Sequence, residues 1–66
     1  MVLTIVDLLS LSFKTGYLLS YEFQITKHVF RFNIKIPSNI ITELEKEEKS
    51  GGWKYSIIKD NVFEVY

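Results

Sequence analysis

A chain of 66 residues, with a net charge of zero and no cysteine, is long enough for one small domain and excludes several classes of protein. Disulfides are excluded, and a single histidine, His28, excludes the usual zinc site of nitrogen and sulfur ligands. The balanced charge provides no long-range attraction to nucleic acid or anionic lipid, and so short a chain predicts that a partner supplies part of its stability.

The N-terminal residues are open to two interpretations. A helix places four apolar residues on one stripe, namely Val2, Ile5, Val6 and Leu9. Thr4 and Asp7 are then a capping pair. Extended structure that leads into a strand fits the same residues equally well. In both cases the segment is too short to span a bilayer and lacks a basic leader, so we expect it to join the core and expect no membrane association.

The first predicted hairpin is LSLSF-KTG-YLLSY, in which a three-residue loop ends at Gly16. Glycine suits the positive φ that such a loop needs. This register pairs Phe13 with Tyr17 and keeps the apolar residues on one face, whereas a two-residue loop mixes the two faces.

The second predicted hairpin turns at Lys27 and His28. One face of it is apolar, with the pairs Ile25–Phe30, Phe23–Phe32 and Tyr21–Ile34. Lys-His is a poor pair for a two-residue turn, and a four-residue loop over 26–29 gives the same pairing. Both alternatives predict that His28 is an exposed turn residue.

A helix is predicted from Ser38 to Lys49. Pro37 ends the preceding strand, and either Ser38 or Asn39 serves as the N-cap. The charged run ELEKEEK reads as a solvated helical face, and the run Ser50-Gly51-Gly52 ends the helix.

The last predicted hairpin is WKYSII-KDN-VFEVY, with Asn61 at positive φ in a three-residue loop. It pairs Ile57 with Phe63 and Tyr55 with Val65. The whole chain, 1–66, is therefore predicted to be one small α+β domain in the order β-β-β-α-β-β. The domain comprises a three-stranded antiparallel meander over about 8–36, a helix over about 38–49 and a C-terminal hairpin over about 53–66.

One helix is too small for the apolar face of this sheet. Seventeen side chains fall on a face of roughly 400 Å², and a three-turn helix covers roughly 160 Å² of it. Three solutions remain open: the sheet curls strongly around its own side chains, the N-terminal segment covers the remainder, or a second chain does. The surplus favours a homodimer or a dedicated protein partner.

The C-terminal hairpin supplies the candidate protein interface: Trp53, Tyr55, Phe63, Val65 and Tyr66. Its last strand, VFEVY, is a candidate edge strand that only Glu64 protects against pairing with another strand. The leading hypothesis is a small cytoplasmic inhibitor, adaptor or assembly factor without enzymatic activity. Lack of alanine and abundant isoleucine and lysine indicate an AT-rich genome, which suggests a phage or mobile-element protein.

The second hypothesis is a small regulator that binds nucleic acid through the polar sheet face. Its candidate residues are Gln24, Arg31, Asn33 and Lys35, whose side-chain types read base edges and phosphates. Outside the predicted helix there are six basic and four acidic residues, a surplus too small for strong phosphate binding.

No combination of residues predicts catalysis, a metal or a cofactor. The glutamates of the helix read as a solubilising surface, and Gly51-Gly52 follows a helix, whereas a phosphate-binding loop precedes one.

Overall fold

The computed structural model describes residues 4–66, so Val2 lies outside the described part. Its first element is helix α1 (Ile5–Lys14). Thr4 is the N-cap: its hydroxyl accepts a hydrogen bond from the Asp7 amide at 3.2 Å, and its own amide donates to the Asp7 carboxylate at 3.0 Å. The predicted capping pair is confirmed, and the predicted first strand is wrong because the helix continues through it.

The end of α1 explains the error. Gly16 has a φ of 78°, as predicted, but it follows the C-cap residue Thr15 instead of closing a hairpin. The Gly16 amide donates to the Phe13 carbonyl at 3.1 Å, which ends the helix. A glycine at positive φ serves a helix end and a hairpin loop equally well, so the residue alone does not distinguish them.

Strands β1 (Leu18–Gln24) and β2 (Lys27–Phe32) form the predicted second hairpin in a different register. The turn is Ile25-Thr26, and Phe23 faces His28 instead of Phe32. That four-residue shift (from 32 to 28) is even, so the same side chains stay on the same faces. The apolar pattern therefore predicted the faces correctly and was unable to distinguish the two registers.

Helix α2 (Ser38–Lys49) has the predicted bounds and the predicted end, where Gly51 has a φ of 82°. Its N-cap is Pro37, with no side-chain cap, so the predicted serine or asparagine cap is wrong. Glu47 is only 5% exposed and lies on the buried side of the helix with Ile40 and Leu44. The charged run is therefore not uniformly solvated.

Strands β3 (Tyr55–Lys59) and β4 (Val62–Val65) form the last hairpin with the predicted pairs Ile57–Phe63 and Tyr55–Val65. The predicted three-residue loop is wrong, because Lys59 pairs with Val62 and the turn has two residues. Asn61 does not adopt a positive φ, which corrects that prediction. Its side-chain amide donates to the Phe32 carbonyl at 3.0 Å, and the Phe32 amide donates to its backbone carbonyl at 2.7 Å. Asn61 thus joins this turn to β2.

The four strands form an open antiparallel sheet in the order β1-β2-β4-β3. The α+β class is confirmed, in the order α-β-β-α-β-β. Strong curling into a closed sheet is not observed, since β1 and β3 are separate edges. The last strand, β4, pairs on both sides, so its predicted place at an edge is wrong.

Both helices pack on one face of the sheet, and no helix within residues 4–66 covers the other face. The core is a single cluster, made of Leu8, Phe30, Phe32, Ile36, Ile40, Leu44, Phe63 and Val65. Phe30 and Phe63 stack at its centre, with ring centroids 4.8 Å apart. Leu8 comes from α1, so the N-terminal segment supplies part of the cover that α2 alone lacks.

Candidate functional site

The two edges of the sheet differ in how well they are protected against pairing with another strand. Strand β1 pairs without interruption from Ser20 to Gln24, five residues, and Glu22 is the only charged residue in it. In β3 a bulge at Ile58 leaves three regular residues, and Lys59 adds a positive charge. Lysines, bulges and short length are the usual protections of an edge, so β1 is the open edge.

Exposed apolar side chains lie along this open edge and continue into its turn. Leu19 and Phe23 of β1 are 61% and 66% exposed, and Ile25 in the β1–β2 turn is 97% exposed. A bulge between Leu18 and Ser20 places Leu18 against the core and leaves Leu19 outside. Large apolar residues grouped on one edge are typical of a contact surface.

The side chain of Phe23 lies against an aromatic support. Its ring stacks on the His28 ring with centroids 4.9 Å apart. Tyr21, two residues earlier on the same strand, also approaches the His28 ring, and its hydroxyl is 2.6 Å from His28 Nδ1. His28 is therefore half-buried in β2 and is not the exposed turn residue that the sequence predicted, because the turn lies two residues earlier. This support reduces the rotamer freedom of an exposed aromatic side chain.

A cavity of about 320 Å³ opens beside the β1–β2 turn, and we call it the end cavity. Its lining includes Ile5, Phe23, Ile25, His28, Trp53 and Tyr66. Aromatic and aliphatic groups dominate, with Thr26 of the turn and Lys27 and His28 at the start of β2 as the polar residues beside them. Pockets of about 300 Å³ are at the small end of those that bind ligands, so this one has room for one or two side chains.

The five residues of the predicted protein interface divide into three groups. Phe63 and Val65 are fully buried in the core, so that part of the prediction is wrong: β4 is an interior strand, and these side chains face the helices. Trp53 and Tyr55 are half-buried and pack against the core. Tyr66 is exposed, and with Trp53 it lines the end cavity.

Tyr55 is half-buried, so its phenol ring is only partly in contact with solvent. Burial raises the pKa of its phenol above the ordinary value of 10.0, and the carboxylates of Glu45 and Glu48 raise it further. The phenol thus lies near the acidic side of α2.

The predicted nucleic-acid residues lie in two parts of the protein. Gln24 and Arg31 lie on the polar sheet face at opposite ends of the β1–β2 ladder. Asn33 and Lys35 lie in the connection to α2, because β2 ends at Phe32. All four are exposed. Lys27 is a further basic residue on the polar sheet face, and it forms an ion pair with Glu64 at 2.8 Å. Nothing in this arrangement concentrates positive charge as phosphate binding requires.

Within residues 4–66, no group of three histidine, cysteine or acidic side chains is placed to hold a metal ion. In the same range, no helix is long and apolar enough to cross a membrane.

The open edge was missed in the sequence because its residues look like core residues. Alternation assigned Phe23 and Ile25 to the apolar face, and nothing in the pattern shows how far the helices extend over that face. Ile25-Thr26 also has no turn signal, since both residues are β-branched and typical of strands.

No family model matches this chain, and no curated protein and no solved structure shows a significant match to it.

Proposed function

We propose that this protein is a non-catalytic protein-binding module, which takes an extended segment of a partner protein as an added strand on β1. One observation carries the proposal: exposed Phe23 near the end of the unprotected edge strand and exposed Ile25 in the turn after it both line the apolar end cavity. An edge strand supplies backbone hydrogen bonds, and a neighbouring pocket supplies specificity, which is the general mode of strand addition.

The backbone of β1 supports this mode. Among residues 4–66 it pairs on one side only, with β2. In an antiparallel pair, alternate residues direct their amide and carbonyl groups away from the neighbouring strand. About half of the peptide groups of Leu18–Gln24 therefore face outward and are available to an added strand.

The end cavity supports a partner segment with an apolar anchor. Its volume of about 320 Å³ suits one large side chain such as leucine, phenylalanine or tryptophan. Trp53 and Tyr66 contribute aromatic surface to its lining. Aromatic pockets of this kind commonly hold the residues that supply most of the binding energy.

The charged and polar residues of β1 indicate which residue types the partner segment carries between its apolar residues. Glu22 lies on the polar face of β1, with Ser20 and Gln24 as its neighbours on that face. A basic or hydroxyl residue opposite Glu22 is favourable, and an acidic residue there is repelled. The segment we expect therefore alternates apolar residues with neutral or basic ones and ends at the anchor.

Selection from a phage-displayed library of random linear peptides tests the proposal. The immobilised protein is compared with Phe23→Lys, which adds a charge to the open edge, and with the control Ile57→Lys on β3. Neither side chain belongs to the buried core, so both variants are expected to fold, which thermal unfolding checks.

The expected result is a set of alternating peptides that bind the wild type and the Ile57→Lys variant, and bind Phe23→Lys at least about tenfold more weakly. Amide shifts on peptide addition should then fall on β1 and the end cavity. The proposal is overturned if no peptide is enriched, or if both lysine variants lose binding equally.

A further inference from the structure

A second apolar surface, on α1, is independent of the open edge. Val6 and Phe13 are 71% and 77% exposed, although both belong to a helix whose opposite side, through Leu8, is in the core. Together with Leu9, Ser10 and Lys14 they line a cavity of about 350 Å³ on the outside of the helix, where Leu9 is half-buried because it also packs against the core. We call four of these residues the α1 outer stripe: Val6, Leu9, Ser10 and Phe13.

The spacing of the α1 outer stripe is that of a helix-packing site. The four residues stand at positions i, i+3, i+4 and i+7 of one helix. On an α-helix these positions form a four-cornered hole, and in coiled coils a side chain of the facing helix fills such a hole. The shape of this surface therefore fits a second helix better than it fits a strand or a small molecule.

The charges beside the stripe select which helix. Asp7 in the first turn and Lys14 in the last turn lie on the same flank of the stripe, about 100° round the helix from its centre. In an antiparallel helix pair related by a two-fold axis, a flank of one helix lies beside the same flank of the other helix. The N-terminal end of one flank then faces the C-terminal end of the other. Asp7 then approaches Lys14 of the second copy, and the two helix dipoles oppose each other favourably.

The charged groups are available for this contact. Both hydrogen bonds that Thr4 donates to Asp7 are accepted by Oδ2, and neither of them uses Oδ1. Lys14 has no ion pair within residues 4–66, where the ion pair is Lys27–Glu64.

We propose that α1 forms the interface of a homodimer, in which the α1 outer stripe of one protomer packs antiparallel against the same stripe of a second copy. The axis passes between Leu9 and Ser10, so that Phe13 of each copy covers Val6 of the other. The small Ser10 side chain allows the two helices to approach closely at the axis. A helix of ten residues buries less than a standard interface, so the dimer dissociates on dilution in the micromolar to millimolar range.

Sedimentation equilibrium of the full chain over a wide concentration range tests the dimer. The mass is expected to rise from 7.8 kDa toward twice that value. Phe13→Lys should abolish the rise, and Lys14→Glu, which sets two acidic groups against each other, should weaken association about tenfold. The control is Phe23→Lys on the open edge, which should leave the mass curve unchanged and so separates this proposal from the proposed function.

Cross-linking tests the orientation, since the natural chain has no cysteine. Ser10→Cys places one thiol at the axis, and its oxidation should give a disulfide-linked dimer. Lys14→Cys should not cross-link, because antiparallel packing separates the two positions by about 13 Å along the helices, beyond disulfide reach.

Three results overturn the proposal. The first is a mass of one chain at all concentrations. The second is a dimer that survives Phe13→Lys while circular dichroism shows that the variant is folded. The third is cross-linking through Lys14→Cys but not through Ser10→Cys, which indicates parallel or unrelated contacts.

Discussion

The edges formed by β1 and β3 belong to one sheet, yet they meet solvent in different ways. Strand β1 presents five regularly paired residues with one carboxylate, whereas β3 is broken by a bulge and carries Lys59. Each edge is preceded by a helix and a glycine at positive φ, Gly16 before β1 and Gly51 before β3. The contrast therefore lies in the edge residues themselves and not in the layout of the chain.

The helices that precede these two edges show the same contrast, since α1 is the more apolar of the two on its outer side. Helix α1 exposes Val6 and Phe13 on its outer side, whereas the outer side of α2 carries charged residues such as Glu45 and Lys46. The first half of the chain thus holds the open edge and the α1 outer stripe, and the second half holds the protected edge and the acidic helix. More of the exposed large apolar side chains lie in the first half, although Ile57, Ile58 and Tyr66 of the second half are exposed as well and Tyr66 lines the end cavity. We therefore expect contact surfaces to be built mainly on the first half, since exposed apolar groups cost solubility unless they are used.

The largest expected effect comes from the interior strand between the two edges. Phe63→Ala should lower the free energy of unfolding by about 3–5 kcal/mol, because the ring is fully buried and stacks on Phe30. Urea unfolding measures the loss. Hydrogen exchange should accelerate more in β3 than in β1, because in the described part of the chain β3 pairs with β4 alone.

Tyr66→Ala is the control, since it removes an exposed ring and should change stability by no more than about 0.5 kcal/mol. Equal losses for the two variants would show that Phe63 is not a core residue.

The two glycines before the edges give a matched pair of smaller effects. Gly16→Ala and Gly51→Ala should each cost about 1–2 kcal/mol, because a side chain is strained at positive φ even where no atom lies within 4 Å of the added carbon. Thermal unfolding of the two variants compares the two halves directly. Asparagine at each position should recover part of the loss. A cost near zero at either glycine would contradict the left-handed backbone there.

A smaller effect concerns the polar sheet face, where Lys27 of β2 meets Glu64 of β4 at 2.8 Å. Glu64→Gln should cost at most about 1 kcal/mol in urea at low salt, since both side chains are partly exposed. The loss should shrink in molar salt. The control is Glu22→Gln on the same face, which has no ion pair within residues 4–66. A loss that does not depend on salt would mean that packing, and not charge, stabilises this pair.

The smallest effect is the acid dependence of α1. Hydrogen bonds from the Thr4 backbone and hydroxyl hold the pKa of the Asp7 carboxyl below its ordinary value of 3.8. A lowered folded-state pKa means that the ionised group stabilises the fold above pH 3.8, and that this contribution is lost as the pH falls through the folded-state pKa.

Asp7→Asn should remove this part of the acid transition, which thermal unfolding from neutral pH down to below pH 3.8 measures. Helix α2 starts at Pro37 without a side-chain cap, so exchange in its first turn should not show the same dependence. An identical acid transition in the wild type and the variant would contradict the capping role.

Some elements followed from local sequence. The bounds of α2, the Thr4–Asp7 capping pair and the register of the last hairpin were all predictable, because each depends on residues close together in the chain. The faces of β1 and β2 were predictable as well, since alternation with a period of two survives any even shift in register.

Long-range contacts decided the remainder. The residues of α1 fit a strand and a helix equally well. In the structure they form a helix, and this helix buries Leu8 against the sheet. The turn at Ile25-Thr26 has no local signal, and the resulting register places Phe30 beside Phe63 in the core. Whether an apolar side chain such as Phe23 is covered depends on where the helices end above the sheet, which is a property of packing in three dimensions. The sequence alone thus determined which faces are apolar, and the tertiary structure decided which of those faces stay exposed.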